Sequence, residues 1–207
     1  MKKAFFITIM SALLICSCQK ENEEVYSCNK HLNEWAHENL QSIRSMDRDA
    51  WLNLDEEYKR PAFNALTPEQ KLLFWKDKLK EVMTSFEWSE PERQHLMKMY
   101  RYLEDSIREE NFDKFIATWT VDAMIDYEWT EELLYGILYT GNRMTDKEGH
   151  FQIVHKKRVI SRKESAPDEN CNCNKETEYK NCRGEACTGT ERGCGPASAK
   201  PCDGKKH

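Results

Sequence analysis

The chain has 207 residues, and its 31 basic and 36 acidic side chains leave a net charge of −5. That balance, with no run of Lys and Arg interleaved with aromatics, argues against a nucleic-acid partner. Hydrophobic residues at 39% and aromatic residues at 11% suffice for one packed domain and exclude a wholly disordered chain.

Met1-Lys2-Lys3 gives a positive start to an apolar run from Ala4 to Ile15. The run is long enough for the core of a signal peptide and too short for a relaxed membrane span. Ser17 then precedes Cys18, which resembles the lipobox of bacterial lipoproteins. There the cysteine sulfur takes a diacylglycerol and cleavage leaves that cysteine first, so residues 1–17 are expected to be a lipoprotein signal peptide. Cys16 fits the cleavage pocket worse, because bulky Ile15 precedes it. The alternative is a plain secretory signal with two incidental cysteines. Burial of acyl chains stabilises attachment by ~0.8 kcal/mol per CH₂, so two or three chains make the lipid membrane a permanent partner. Residues 18–28 read as an acidic tether. Within it Gln19, Lys20, Glu21, Asn22 and Glu23 resemble the short export tag of Bacteroidetes surface lipoproteins, which implies an outer-membrane protein facing outward. A simple solvated tether is the other reading.

Residues 29–142 carry a helical pattern. Leu32, Trp35, Leu40 and Ile43 give a weak first helix, and Trp51, Leu52 and Leu54 suggest a second. Thr67-Pro68-Glu69-Gln70 is a clear helix start, with a capping Thr67, a proline at the first helical position and Gln70 able to complete a capping box. Leu72, Trp75, Leu79, Val82 and Phe86 then recur on one face. Ser89-Glu90-Pro91-Glu92 restarts the chain, and Leu96, Met99, Leu103 and Ile107 form the next stripe. Phe112, Phe115, Ile116 and Trp119 continue it. Thr130-Glu131-Glu132 opens a last short helix with Leu133, Leu134, Ile137 and Leu138, and Gly141 is the expected stop. The fold class is therefore all-α, a small bundle of about five or six helices. All six tryptophans lie in this part. Their helical spacing makes them core rather than a ligand box. His31, Glu34 and Glu38 could share a helix face and hold a metal, but no third ligand is identifiable and the spacing matches no zinc motif, so they read as exposed polar residues. There is no Gly-rich phosphate loop and no nucleophile elbow. No catalytic residue, metal ligand or cofactor is expected, and the chain does not read as an enzyme.

Residues 143–170 are expected to form a basic linker. Phe151-Gln152-Ile153-Val154 and Arg158-Val159-Ile160 can pair as a short hairpin. Lys156-Lys157-Arg158 and Arg162-Lys163 offer protease sites before the Pro-broken stretch at Pro167.

Residues 171–207 hold six of the nine cysteines: Cys171, Cys173, Cys182, Cys187, Cys194 and Cys202. So short a segment, almost without aliphatic residues, cannot fold on apolar burial. Three disulfides are the natural solution in an exported protein, each contributing about 2–4 kcal/mol. Sequence does not choose among the pairings, although Cys171 with Cys173 would close a strained ring. A zinc or copper site is the rival, and the paired C-x-x-C spacing it needs is missing. Cys28 stays outside this scheme: it is free, it links two molecules, or the pairing within the tail is incomplete. Cys171-Asn-Cys173, the later cysteines and Gly193-Cys194-Gly195 before Cys202 resemble fulvocin C, a disulfide-rich bacteriocin of myxobacteria. With the leader and the segment Thr67–Leu79, the arrangement is similar to the bacteriocin fulvocin C-related proteins of Bacteroidetes. The resemblance implies a surface lipoprotein with a bacteriocin-like tail that acts on an envelope component of neighbouring bacteria, at contact or after proteolytic release. The alternative is a non-toxic binding or structural lipoprotein with the tail as its recognition module.

Overall fold

A computed structural model describes residues 24–27, 29–105, 112–154, 158–160, 190–194 and 200–202. It is mostly helical. Eight helices lie among the described residues: α1 (Lys30–Glu38), α2 (Leu40–Ser45), α3 (Arg48–Leu52), α4 (Glu56–Ala65), α5 (Pro68–Ser85), α6 (Glu90–Asp105), α7 (Phe112–Asp126) and α8 (Glu131–Leu138). The number exceeds the five or six expected, for local reasons. The weak first helix breaks at Asn39, whose side-chain amide donates to the Trp35 carbonyl at 2.8 Å and whose backbone leaves the helical region. The helix α4 carries an internal Pro61 and a buried Lys59, which hide its period.

Polar caps fix the boundaries. Thr67 and Gln70 form the expected reciprocal capping box at the start of α5. Ser89 does the same with Glu92: its backbone N–H donates to Glu92 Oε2 at 2.8 Å. Thr130 Oγ1 accepts from the Leu133 N–H at 3.1 Å to start α8. The last helix ends at Leu138, before Gly141. Gly141 is not its cap. A Cβ there would lie 2.5 Å from Phe74 and 2.8 Å from Trp51, so glycine serves a close approach of backbone to aromatic rings.

The central element is α5, which packs on α6, α8 and the first strand, while α4 holds α1, α2 and α3. Its inner face contributes Phe74, Trp75, Leu79, Val82 and Met83 to one continuous core with Ile43, Leu96, Met99, Trp119 and Ile137. A three-stranded antiparallel sheet follows the helices: β1 (Arg143–Met144), β2 (Phe151–Ile153) and β3 (Arg158–Ile160). Phe151 faces Ile160 and Ile153 faces Arg158 in the register, the pairing expected of the two short apolar segments. The stretch from 143 is more than a spacer at its start. Met144, Phe151 and Ile153 are buried, and Met144 belongs to the main core. In the tail, β4 (Thr190–Cys194) pairs antiparallel with β5 (Lys200–Cys202), with Thr190 opposite Cys202 and Cys194 opposite Lys200.

Candidate functional site: a buried cation cluster

Three cations from three helices converge on one short segment, Gly141–Arg143. Arg48, in the first turn of α3, donates from Nε to the Gly141 carbonyl at 3.0 Å. Its Nη1 reaches Glu81 Oε2 at 2.8 Å and Asp77 Oδ2 at 3.3 Å. Lys59 on α4 donates to Asn142 Oδ1 at 2.7 Å and to Glu56 Oε2 at 2.9 Å, with its ammonium 5.2 Å from the Trp51 ring centre. Lys78 on α5 donates to the Asn142 carbonyl. Asn142 completes the set by donating from Nδ2 to Glu56 Oε1 at 3.3 Å. Arg143 then bridges Glu81 at 3.2 Å and Asp49 at 2.9 Å. Three cations, Arg48, Lys59 and Arg143, thus meet the carboxylates of Asp49, Glu56, Asp77 and Glu81.

The helix geometry explains the placement of Lys78. It follows Phe74 and Trp75 by four and three residues and precedes Val82 by four, so it stands in the middle of the buried stripe. It has no exposed surface. Burial, reinforced by the Arg48 charge and only partly offset by Glu81, brings its pKa down to about 7. Burial pushes the Glu81 carboxyl up, but the hydrogen bond and charge of Arg48, with Lys78 and Arg143, outweigh it and hold Glu81 below the usual carboxylate range.

An amine that titrates near neutrality is the kind of group that acts as a nucleophile or base. Here it has no exposure, and its proton donor direction is taken by a backbone carbonyl. Its chemistry is that of a clamp: it fixes the turn that carries the chain from α8 into β1. Beside it lies an open cleft of about 440 Å³ between the α2–α3 connection and α5, lined among others by Arg44, Met46, Arg48, Gln70, Leu73 and Phe74.

A second buried polar group, His95, belongs to α6. His95 stacks on Trp119 with ring centres 4.5 Å apart. The two exchange bonds: Trp119 Nε1 donates to the His95 carbonyl at 2.9 Å, and His95 Nε2 donates to the Trp119 carbonyl at 3.0 Å. Burial holds the His95 pKa below the ordinary value. Trp129 packs on both rings and donates to Glu92 Oε1 at 3.0 Å. Burial raises the Glu92 carboxyl, but bonds from the Ser89 backbone and hydroxyl, Trp129 and Lys147 prevail and bring it down to about 2.

Asp146, Glu148 and His150 gather their ligand atoms within 4.8 Å of one another in the β1–β2 loop. The Asp146 carboxylate already accepts the N–H groups of Glu148 and His150, both at 3.1 Å, and faces His150 Nδ1 at 2.9 Å. That is the bonding of a tight turn, and Gly149 with φ +89° packs against the Glu132 carbonyl.

Among the residues singled out by sequence, His31, Glu34 and Glu38 are exposed along α1, where Glu34 pairs with Lys30 at 3.7 Å. Cys194 ends β4 and Cys202 ends β5. Cys18, the tag Gln19 to Glu23, Cys28, Cys171, Cys173, Cys182 and Cys187 lie outside the described residues. Sequence reasoning missed Arg48, Lys59, Lys78 and Asn142. The available signal was a lysine at a stripe position of α5. Scans against family models, curated proteins and solved structures each return no match.

Proposed function

We propose that the chain is a lipid-anchored surface protein whose helical body is a scaffold that presents a disulfide-stapled, bacteriocin-like C-terminal module to neighbouring bacteria. The reading is supported by the bacteriocin fulvocin C-related pattern of the tail and by one structural observation at the other end. The chain is fastened to the body as soon as it enters it. Tyr26 is buried, its N–H donates to Asn33 Oδ1 at 2.8 Å, and its carbonyl accepts from Asn64 Nδ2 at 2.8 Å. Glu24 already engages His37 through its carbonyl at 2.9 Å and Arg44 through its carboxylate at 3.8 Å. An anchor at Cys18 would stand only six residues before Glu24 in the sequence. At ~3.3–3.6 Å per residue this keeps the body within roughly 20 Å of the bilayer. A body held so close to the bilayer suits a scaffold role, which leaves recognition to the cysteine-rich tail.

The test is to compare the wild-type protein with Cys18→Ala in cells, and to apply the purified oxidised chain to related bacteria. Growth inhibition that vanishes on reduction supports the toxin reading. Capture of a glycan or protein without inhibition favours a binding lipoprotein, the second reading. That reading draws on the cleft beside α5, where Arg44, Gln70 and Leu73 offer charge, amide and apolar surface together.

A further inference from the structure

The strands β4 and β5 carry two of the six tail cysteines, one at the end of each strand. Their register bears on which bridges these cysteines can form. Cys194 lies opposite Lys200, and Cys202 lies opposite Thr190, so the two cysteines are not cross-strand partners. From one pair to the other, β5 advances two residues and β4 advances four, and the register shift falls on β4, between Thr190 and Cys194.

Distance follows from that register. Opposite residues of an antiparallel pair have Cα atoms about 4.5–5.5 Å apart, and a strand advances about 3.3 Å per residue. Cys202 is two steps along β5 from the residue that faces Cys194. It is therefore a diagonal neighbour of Cys194, at roughly 7–8 Å. A disulfide usually joins Cα atoms about 4.4–6.8 Å apart, and beyond about 7 Å the backbone has to move to form one. Loop length argues the same way. A bridge between Cys194 and Cys202 would close a short loop, and the freedom a disulfide removes from the unfolded chain grows with loop length. It would also leave Cys171, Cys173, Cys182 and Cys187 to pair among themselves. Only the backbone would then join the hairpin to the preceding segment, in a stretch with almost no aliphatic residues to hold it there.

We propose that Cys194 and Cys202 belong to two different disulfides, each made with a cysteine of residues 171–187, so that both strands of the hairpin are tied to the segment before it. The third bridge joins the two upstream cysteines that remain. This deepens the disulfide-stapled reading of the tail and rests on it. Each bridge forms as two thiols give up two protons and two electrons to a disulfide donor, which is reduced to two thiols.

Tryptic mapping of the full chain without reduction, with free thiols alkylated first and the digest run in denaturant, tests the pairing. Trypsin cuts after Arg192 and after Lys205, while Pro201 protects the bond after Lys200, so Cys194 and Cys202 stay on one peptide, residues 193–205. The expected result is that this peptide appears only in crosslinked form, and that reduction releases it together with peptides from residues 171–187. Cys194→Ser should expose one alkylatable thiol among residues 171–187 and leave Cys202 bridged. Peptide 193–205 found alone, lighter than its reduced form by the two thiol hydrogens, overturns the proposal. So does a Cys194→Ser chain in which the newly alkylated thiol is Cys202. Either of those results leaves the stapled reading standing. Alkylation of both cysteines in the unreduced chain overturns the proposal and the stapled reading together.

Discussion

The two buried polar regions, one around Asn142 and one around His95, solve one problem in opposite ways. Around Asn142, charges from α3, α4 and α5 neutralise one another and bind backbone carbonyls of a segment more than sixty residues away in sequence. Around His95, aromatic rings stack and exchange two neutral hydrogen bonds. The aromatic region draws its stability from area and packing and asks little of its surroundings. The charged region is stable only while every partner is present, since a buried ion without its counter-charge is costly. The difference teaches where the fold is robust and where it is brittle.

The largest effect should come from breaking either region outright. Trp119→Ala removes a fully buried ring and should cost about 3–5 kcal/mol in urea unfolding, with Trp129 fluorescence as a local probe. Arg48→Met leaves Glu81 short of its main partner and orphans the Gly141 carbonyl, and a loss of about 3 kcal/mol is expected. If Arg48→Met proves milder than a surface substitution, the charged region is not a clamp.

A gentler test separates the regions by pH. Lys78 holds its proton less tightly folded than unfolded. Between about pH 7 and the ordinary lysine value of 10.5 the unfolded chain carries more protons, so stability should rise with pH across that window. Lys78→Met should flatten this slope. His95 is also depressed, and it acts in a lower window: below its ordinary value of 6.5 the unfolded chain takes up the proton first, so stability falls as pH falls. Glu92 acts lower still. Its contribution is complete above 4.5 and is lost as pH drops toward about 2, and Glu92→Gln should remove that part of the acid transition. The smallest effect belongs to a cap common to neither region: Thr67→Ala should cost about 1 kcal/mol.

These regions also differ in how far sequence discloses them. The aromatic stripe of α6 and α7 repeats at helical spacing, and the caps at Thr67, Ser89 and Thr130 are local patterns, so residues within one turn carry the information. The helix α4 stayed hidden because Pro61 and Lys59 interrupt its apolar period. Lys78 stayed hidden because a lysine in a stripe reads as a flank. Its burial depends on Asn142 and Arg48, which only the folded chain brings near. Gly141 looked like a helix stop for the same reason: the rings of Phe74 and Trp51 that demand glycine there lie far away in sequence. The hairpin of β2 and β3 was legible, but its packing against the body through Met144 and Tyr135 was not.

In the proposed role, a helical scaffold is held at the membrane by one end and displays a covalently stapled module at the other. Intact-mass analysis of the protein taken from cell membranes, before and after thiol alkylation, tests both ends at once. The account predicts a chain that begins at an acylated Cys18 and offers no alkylatable thiol among the six tail cysteines. An uncut leader at Met1 together with freely alkylated tail thiols would contradict it.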